Sequence, residues 1–154
     1  MSTVSRRDVI KGGAALPLLA MAGAAGATAP QRPAMTIYRD PGCGCCLNWA
    51  AIARRSGFAV TMIESADMAG VKQRLGVPRQ LASCHTAVVG GLVIEGHVPL
   101  NQVSSLVARR PRGIRGLAVP GMPVGSPGME VPGGAREPYR VFAFNAAGQV
   151  VTMR

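Results

Sequence analysis

Three of the chain's four cysteines, Cys43, Cys45 and Cys46, fall within "RDPGCGCC", the stretch from Arg39 to Cys46, and the fourth is Cys84 in "LASCHTAVV". Three chemistries are open to this set. Cys43 and Cys46 have the C-x-x-C spacing of a redox dithiol, with Cys43 as attacking thiolate and Cys46 as resolving thiol. A pair such as Cys46 and Cys84 could instead brace the fold as a disulfide, at a typical gain of roughly 2 to 4 kcal/mol. Four converging thiolates would hold a soft metal, and sulfur selects Cu(I), zinc or iron-sulfur. A single tetrahedral zinc usually takes two well-spaced C-x-x-C pairs or a Cys/His equivalent. Adjacent Cys45 and Cys46 point in different directions, which suits bridging several ions better than chelating one.

Other soft or titratable donors accompany them. Met122 and Met129 lie in "PGMPVGSPGM", a flexible segment whose thioethers are common company for Cu(I), or else fill gaps in a lid. His85 follows Cys84 directly, and strand alternation places it on the opposite face from Cys84. His97, in "EGHVP", precedes a helix from a loop and could reach the site or carry a proton. Trp49 reads as core packing on a helix. Arg39 and Asp40 read as shaping the turn into the cysteines, with Asp40 able to cap local N–H groups.

The elements that must position these residues alternate along the chain. "AMTIYRD" (34–40) is a β-rich run closed by the Asp40-Pro41-Gly42 turn signal, and "CCLNWAAIARRSG" follows as a helix ended by Gly57. "FAVTMIES" (58–65) reads as a second strand, and "ADMAGVKQRLGV" as a short helix with Met68, Val71 and Leu75 on one face. "TAVVGGLVIEG" is a hairpin turning at Gly90-Gly91. "PLNQVSSLVARR" (99–110) is a helix with the stripe Leu100, Val103, Leu106 and Val107. From Pro111 to Pro138 glycine and proline dominate, too rich in breakers for regular structure. "YRVFAFNAAGQVVTMR" reads as a last hairpin turning near Ala147-Gly148.

The order β-α-β-α-β-β-α predicts an α/β, thioredoxin-like mixed sheet flanked by helices, with a long Pro/Gly/Met-rich loop and a C-terminal hairpin. In that arrangement Cys43 sits at the N-terminus of the first helix, where the macrodipole favours a thiolate. Cys84, just before the third strand, faces the same loop.

Residues 1–29 read as a twin-arginine export signal: Arg6 and Arg7 precede an Ala/Leu/Gly-rich stretch, and "AGA" at Ala25 to Ala27 is a plausible cleavage site. The remaining domain spans 34–154, and the expected address is the periplasm. Cleavage after residue 27 removes Arg6, Arg7 and Lys11 against Asp8, so the formal charge falls from +10 to +8. The basic residues are scattered, and only Trp49, two Tyr and three Phe could stack on bases, so nucleic acid is not an expected partner. The charge reads as a solvated or envelope-facing surface. Stable membrane insertion after signal cleavage is not expected either.

Taken together, "YRDPGCGCC..W", "LASCHTAVV", "VIEGHVP" and "GLAVPGMPVGSPGME" resemble the CopG-type copper-resistance proteins, over essentially all of Ala34 to Met153. The resemblance implies a periplasmic protein of thioredoxin-like fold that binds several copper ions, as Cu(I), in a thiolate-bridged cluster. It also implies a role in interconverting Cu(I) and Cu(II). By position the ligands would be Cys43, Cys45, Cys46 and Cys84; His97, Met122, Met129 and His85 are added on softness and proximity. Copper ions, and other periplasmic copper-handling proteins, are the partners so implied. A copper oxidoreductase and a plain metal-binding protein both remain open, and the alternative is a thiol-disulfide oxidoreductase using Cys43 and Cys46.

Overall fold

The structure is a computed structural model that describes residues 34–151. Their order is β1 (Met35–Arg39), α1 (Gly44–Arg55), β2 (Val60–Glu64), α2 (Met68–Leu75), β3 (His85–Val89), β4 (Leu92–Glu95), α3 (Leu100–Arg109), β5 (Gly116–Ala118), β6 (Phe142–Phe144) and β7 (Val150–Val151). The export signal read in residues 1–29 lies outside the described residues. Among the described residues, no helix is long and apolar enough to cross a membrane.

The described strands form one mixed sheet of seven, in the order β2-β1-β3-β4-β5-β6-β7. β1 runs parallel to β2 and antiparallel to β3, and β4 runs antiparallel to β3 and parallel to β5. The expected α/β sheet flanked by helices is therefore what the chain forms, including the Gly90-Gly91 hairpin between β3 and β4.

Local chemistry explains the start of α1. The Asp40 carboxylate accepts from the Gly42 N–H at 2.8 Å, and its carbonyl accepts from the Cys43 N–H at 3.0 Å, so the chain turns sharply and Cys43 becomes the N-cap. From there Cys46, Trp49, Ala50 and Ala53 follow helical spacing and are buried. α3 does the same with Leu100, Val103 and Leu106. Both helices pack with Met35, Ile37, Ala87, Val89 and Ile94 of the sheet. A smaller cluster, Val77, Leu81, Val93, Ala118 and Phe144, gathers the segment after α2.

One expectation is corrected. The Gly/Pro segment is not devoid of regular structure, because Gly116–Ala118 forms β5 alongside β4, in register from Val93 and Gly116 to Glu95 and Ala118. Leu117 and Ala118 are buried in the two different clusters, and that two-sided burial outweighs the flanking breakers. The last hairpin pairs Phe144 with Val150 and turns through Asn145 to Gln149, as read from the sequence.

Candidate metal centre

The registers bring the site to one end of the sheet. Arg39 ends β1 level with His85 at the start of β3, so the loop after β1 and the residue before β3 lie side by side. Arg39 fixes the loop by donating through Nη1 to the carbonyls of Asp40 and Pro41, at 3.0 Å each, and of Cys43 at 3.3 Å, while Nη2 pairs with Glu64. Arg39 and Asp40 thus shape the turn, as expected.

The four sulfurs converge: those of Cys43, Cys45, Cys46 and Cys84 all lie within 4.8 Å of one another. Cys45 is 3.4 Å from Cys43 and 3.7 Å from Cys84, with the Met122 thioether 4.0 Å away. Cys43 and Cys46 are joined in a disulfide, and Cys45 and Cys84 are free thiols. A bracing Cys46–Cys84 bond is therefore absent. Cys46 is fully buried on α1 and takes the partner at C-x-x-C spacing. Met122 is an exposed methionine at the mouth. Met129 is half-buried; its backbone closes the loop with Gly125 and Ser126, and it makes no sulfur contact of the kind Met122 makes among the described residues.

Both histidines are buried against Cys84. His97 Nε2 is 3.1 Å from the Cys84 sulfur, and His97 Nδ1 is 2.8 Å from the Pro127 carbonyl. A carbonyl can only accept, so Nδ1 carries the proton and Nε2 presents its lone pair to the sulfur. This is how second-sphere contacts orient metal-ligating imidazoles. The expectation that His85 faces away from Cys84 is corrected: its Nδ1 lies 3.3 Å from that sulfur. Alternation does not apply, because Cys84 stands in a bend before β3 rather than in the ladder. His85 Nε2 is buried without a hydrogen-bond partner among the described residues. Trp49 packs as core, its indole N–H donating to the Val98 carbonyl at 3.0 Å, with its ring 4.8 Å from that of His85.

The electrostatics favour the neutral forms of Cys84 and of both imidazoles. Burial, and then the neighbouring Cys45, push the Cys84 thiol up to about 12. Burial holds His85 well below the usual imidazole range, helped by His97 and Lys72, and burial likewise lowers His97 despite its bond to Pro127. A metal entering here would displace a proton from Cys84. In metal-free protein, iodoacetamide at pH 8 is expected to modify Cys84 roughly ten- to a hundredfold more slowly than an ordinary cysteine thiol, because little thiolate is present and only the thiolate reacts, its greater intrinsic nucleophilicity offsetting part of the loss. Peptide mapping by mass spectrometry reads this directly; equal labelling with a free cysteine standard would contradict it.

A partly buried ion pair, which the sequence reading did not identify, anchors the segment before Cys84. Glu95 is fully buried in β4 and accepts from the Ser83 N–H at 2.6 Å, from Lys72 Nζ at 2.6 Å and from the Thr86 hydroxyl at 2.6 Å. Burial pushes its carboxyl up, and Lys72 and these donors oppose that. The one signal in the sequence was a carboxylate interrupting the apolar "LVIEG". Glu95→Ala is expected to lose roughly 3 kcal/mol of folding stability, because the Ser83 N–H, the Thr86 hydroxyl and the half-buried Lys72 ammonium all lose their acceptor. Urea unfolding of the metal-free protein measures it, and a loss below about 1 kcal/mol would show that the pair does not hold this corner.

Two glycines let the surrounding chain approach. Gly96 has φ 69°, and a Cβ there would meet the Ser83 side chain and the Val119 carbonyl at 2.4 to 2.5 Å. Gly128 has φ 85°, and a Cβ there would lie 2.8 Å from the Trp49 nitrogen. Gly128 and Ser126 are buried, so the stretch 126–128 of the Gly/Pro segment packs over α1 and presents the Pro127 carbonyl to His97.

The donor set suits a soft metal: four sulfurs lie within reach of one another, Cys84 is also within reach of both imidazoles, and a thioether stands at the rim. Two solved structures are similar to this chain. "Copper resistance protein copG- Form 1" shares 45% identity at a TM-score of 0.72, over 78% of this chain and 94% of that one. "Copper resistance protein copG- Form 2" matches with 45% identity, a TM-score of 0.73 and the same coverage of 78% and 94%. The profile of a family described as "Protein of unknown function, DUF411" matches residues 81–129, which include Cys84, both histidines and both loop methionines. No curated protein matches the chain.

Proposed function

The chain belongs to the CopG-type copper-resistance family, and from that premise we propose that it binds several Cu(I) ions in a cluster bridged by Cys43, Cys45, Cys46 and Cys84. The observation that carries this reading is the convergence of all four sulfurs within 4.8 Å although Cys84 comes from a different element. His97 is the best-placed nitrogen ligand, because Pro127 fixes its tautomer. His85 and Met122 stand within reach as further donors, and Met129 is the least supported of the set. Residues 1–29 act in this reading as a twin-arginine export signal, and the domain 34–154 works in the periplasm.

The disulfide adds a redox role to the binding one. Two Cu(II) ions, each taking one electron from the reduced Cys43 and Cys46 pair, would become two Cu(I) while the pair closes as the disulfide and releases its thiol protons. Cys45 and Cys84 would remain free to hold the product, as they are in the oxidised structure. The same disulfide favours a second reading, thiol-disulfide exchange through Cys43 at the N-cap of α1.

The test is to load fully reduced protein anaerobically with Cu(I) and count ions by elemental analysis. The copper reading expects more than one ion per chain, and a content near zero would sink it. Turnover of insulin disulfides by metal-free protein, retained in Cys84→Ser and lost in Cys43→Ser, would favour the exchange reading instead.

A further inference from the structure

The carboxylates of the folded domain gather towards one end of the strand axis, and six of the twelve basic residues among the described ones gather at the other. The described residues contain six carboxylates. Asp40, Glu64 and Asp67 follow or end β1 and β2, Glu95 ends β4, and Glu130 and Glu137 brace the Gly/Pro segment. All of them therefore lie towards the sulfur end of the sheet. At the opposite end, where β1 and β4 begin, the helices α1 and α3 both terminate. Arg54, Arg55, Arg109, Arg110 and Arg112 are exposed there, and Arg115 joins them through a bond to the Gly91 carbonyl. None of the six makes an ion pair among the described residues, whose salt bridges are Arg39–Glu64, Lys72–Glu95 and Arg74–Asp67.

Complementing two helix dipoles accounts for a cation in each last turn. It does not account for Arg112 and Arg115 beyond α3, nor for the absence, among the described residues, of any carboxylate from this pole. Uncompensated like charge on one face of a folded domain is a footprint for an anionic surface.

We propose that this arginine pole docks the domain peripherally on a bilayer carrying anionic phospholipid headgroups. The residues are all arginines, whose guanidinium forks pair with phosphate. A protein interface would carry an apolar core. Among the described residues, the exposed large apolar side chains lie elsewhere: Leu47, Ile63, Met122, Val131 and Tyr139 towards the sulfur end, and Val150 on the last edge strand. A five-residue strand separates the pole from the sulfurs by roughly 17 Å. That exceeds the Debye length of about 8 Å, so docking leaves the metal mouth facing away from the membrane and outside its field.

The inference does not depend on which metal the sulfurs hold. Its test uses the full chain and vesicles of pure phosphatidylcholine or of phosphatidylcholine with one third phosphatidylglycerol, in a co-sedimentation assay. Binding is expected to favour the anionic vesicles and to fall as salt rises. Arg54→Gln, Arg109→Gln and Arg112→Gln together are expected to weaken it roughly a hundredfold. The control combines Arg79→Gln, Arg136→Gln and Arg140→Gln, which removes equal charge outside the pole and is expected to change binding by less than about threefold. Equal losses in both triple variants would reduce the effect to net charge and overturn the proposal. So would equal binding to both vesicle types, or binding to polyglutamate without binding to anionic vesicles, which would assign the pole to an acidic protein.

Discussion

Replacing Cys84 by serine is expected to remove roughly half or more of the Cu(I) that the reduced protein takes up, while leaving the fold intact. The sulfur of Cys84 is the point where the two halves of the site meet. It lies 3.7 Å from the Cys45 sulfur, 3.1 Å from His97 Nε2 and 3.3 Å from His85 Nδ1. A hydroxyl is a hard donor and does not bridge Cu(I), so losing this sulfur disconnects the loop thiolates from both imidazoles. Cys84 is half-buried, and serine is close to it in size, so the stability change should stay near 1 kcal/mol. Elemental analysis beside a thermal melt separates the two effects. Unchanged copper content in a folded variant would show that Cys84 is a neighbour of the site and not part of it.

Adding Cu(II) to the anaerobic, fully reduced, metal-free protein is expected to produce Cu(I) and the Cys43–Cys46 disulfide in a ratio of two to one. The oxidised structure makes this pairing specific, because Cys43 and Cys46 are bonded while Cys45 and Cys84 remain thiols. Electrons balance with no further reagent: two thiolates become one disulfide and two metal ions each gain one electron. A Cu(I)-specific chromophoric chelator counts the metal, and mass spectrometry of trapped peptides locates the bond. Formation of Cu(I) with a disulfide elsewhere would move the redox step to other cysteines, and no Cu(I) at all would leave binding as the only copper chemistry. Cys43→Ser should abolish the rapid reaction, since the remaining thiols lack the C-x-x-C partner.

Much of this arrangement was legible in the sequence because its signals are local. The Asp40-Pro41-Gly42 turn, the helical spacing of Trp49, Ala50 and Ala53, and the Gly90-Gly91 hairpin each rest on a few adjacent residues. The approach of Cys84 to the loop could be anticipated from the order of elements, because a residue preceding β3 lies level with the end of β1. The rest depended on long-range pairing. The side on which His85 stands follows from a bend that takes Cys84 out of the ladder, and no local signal announces that bend. Glu95 matters through Lys72, Thr86 and Ser83, which come from three other segments. β5 is visible only once β4 and β6 exist to flank it, since Gly116–Ala118 alone is too short and too glycine-rich to declare a strand. The pairing of Cys43 with Cys46 was one of several bonds that the spacing allowed.

The charge separation was hidden for a similar reason. Along the chain the arginines look scattered, and only the return of α1 and α3 to the same end of the sheet gathers them.

A crystal structure of the reduced protein loaded anaerobically with Cu(I), with anomalous data collected on both sides of the copper edge, tests the central claim most directly. Several copper peaks are expected within bonding distance of the sulfurs of Cys43, Cys45, Cys46 and Cys84, with one of them facing His97 Nε2. Copper bound elsewhere, or a loaded crystal in which the Cys84 sulfur touches no metal, would contradict the account.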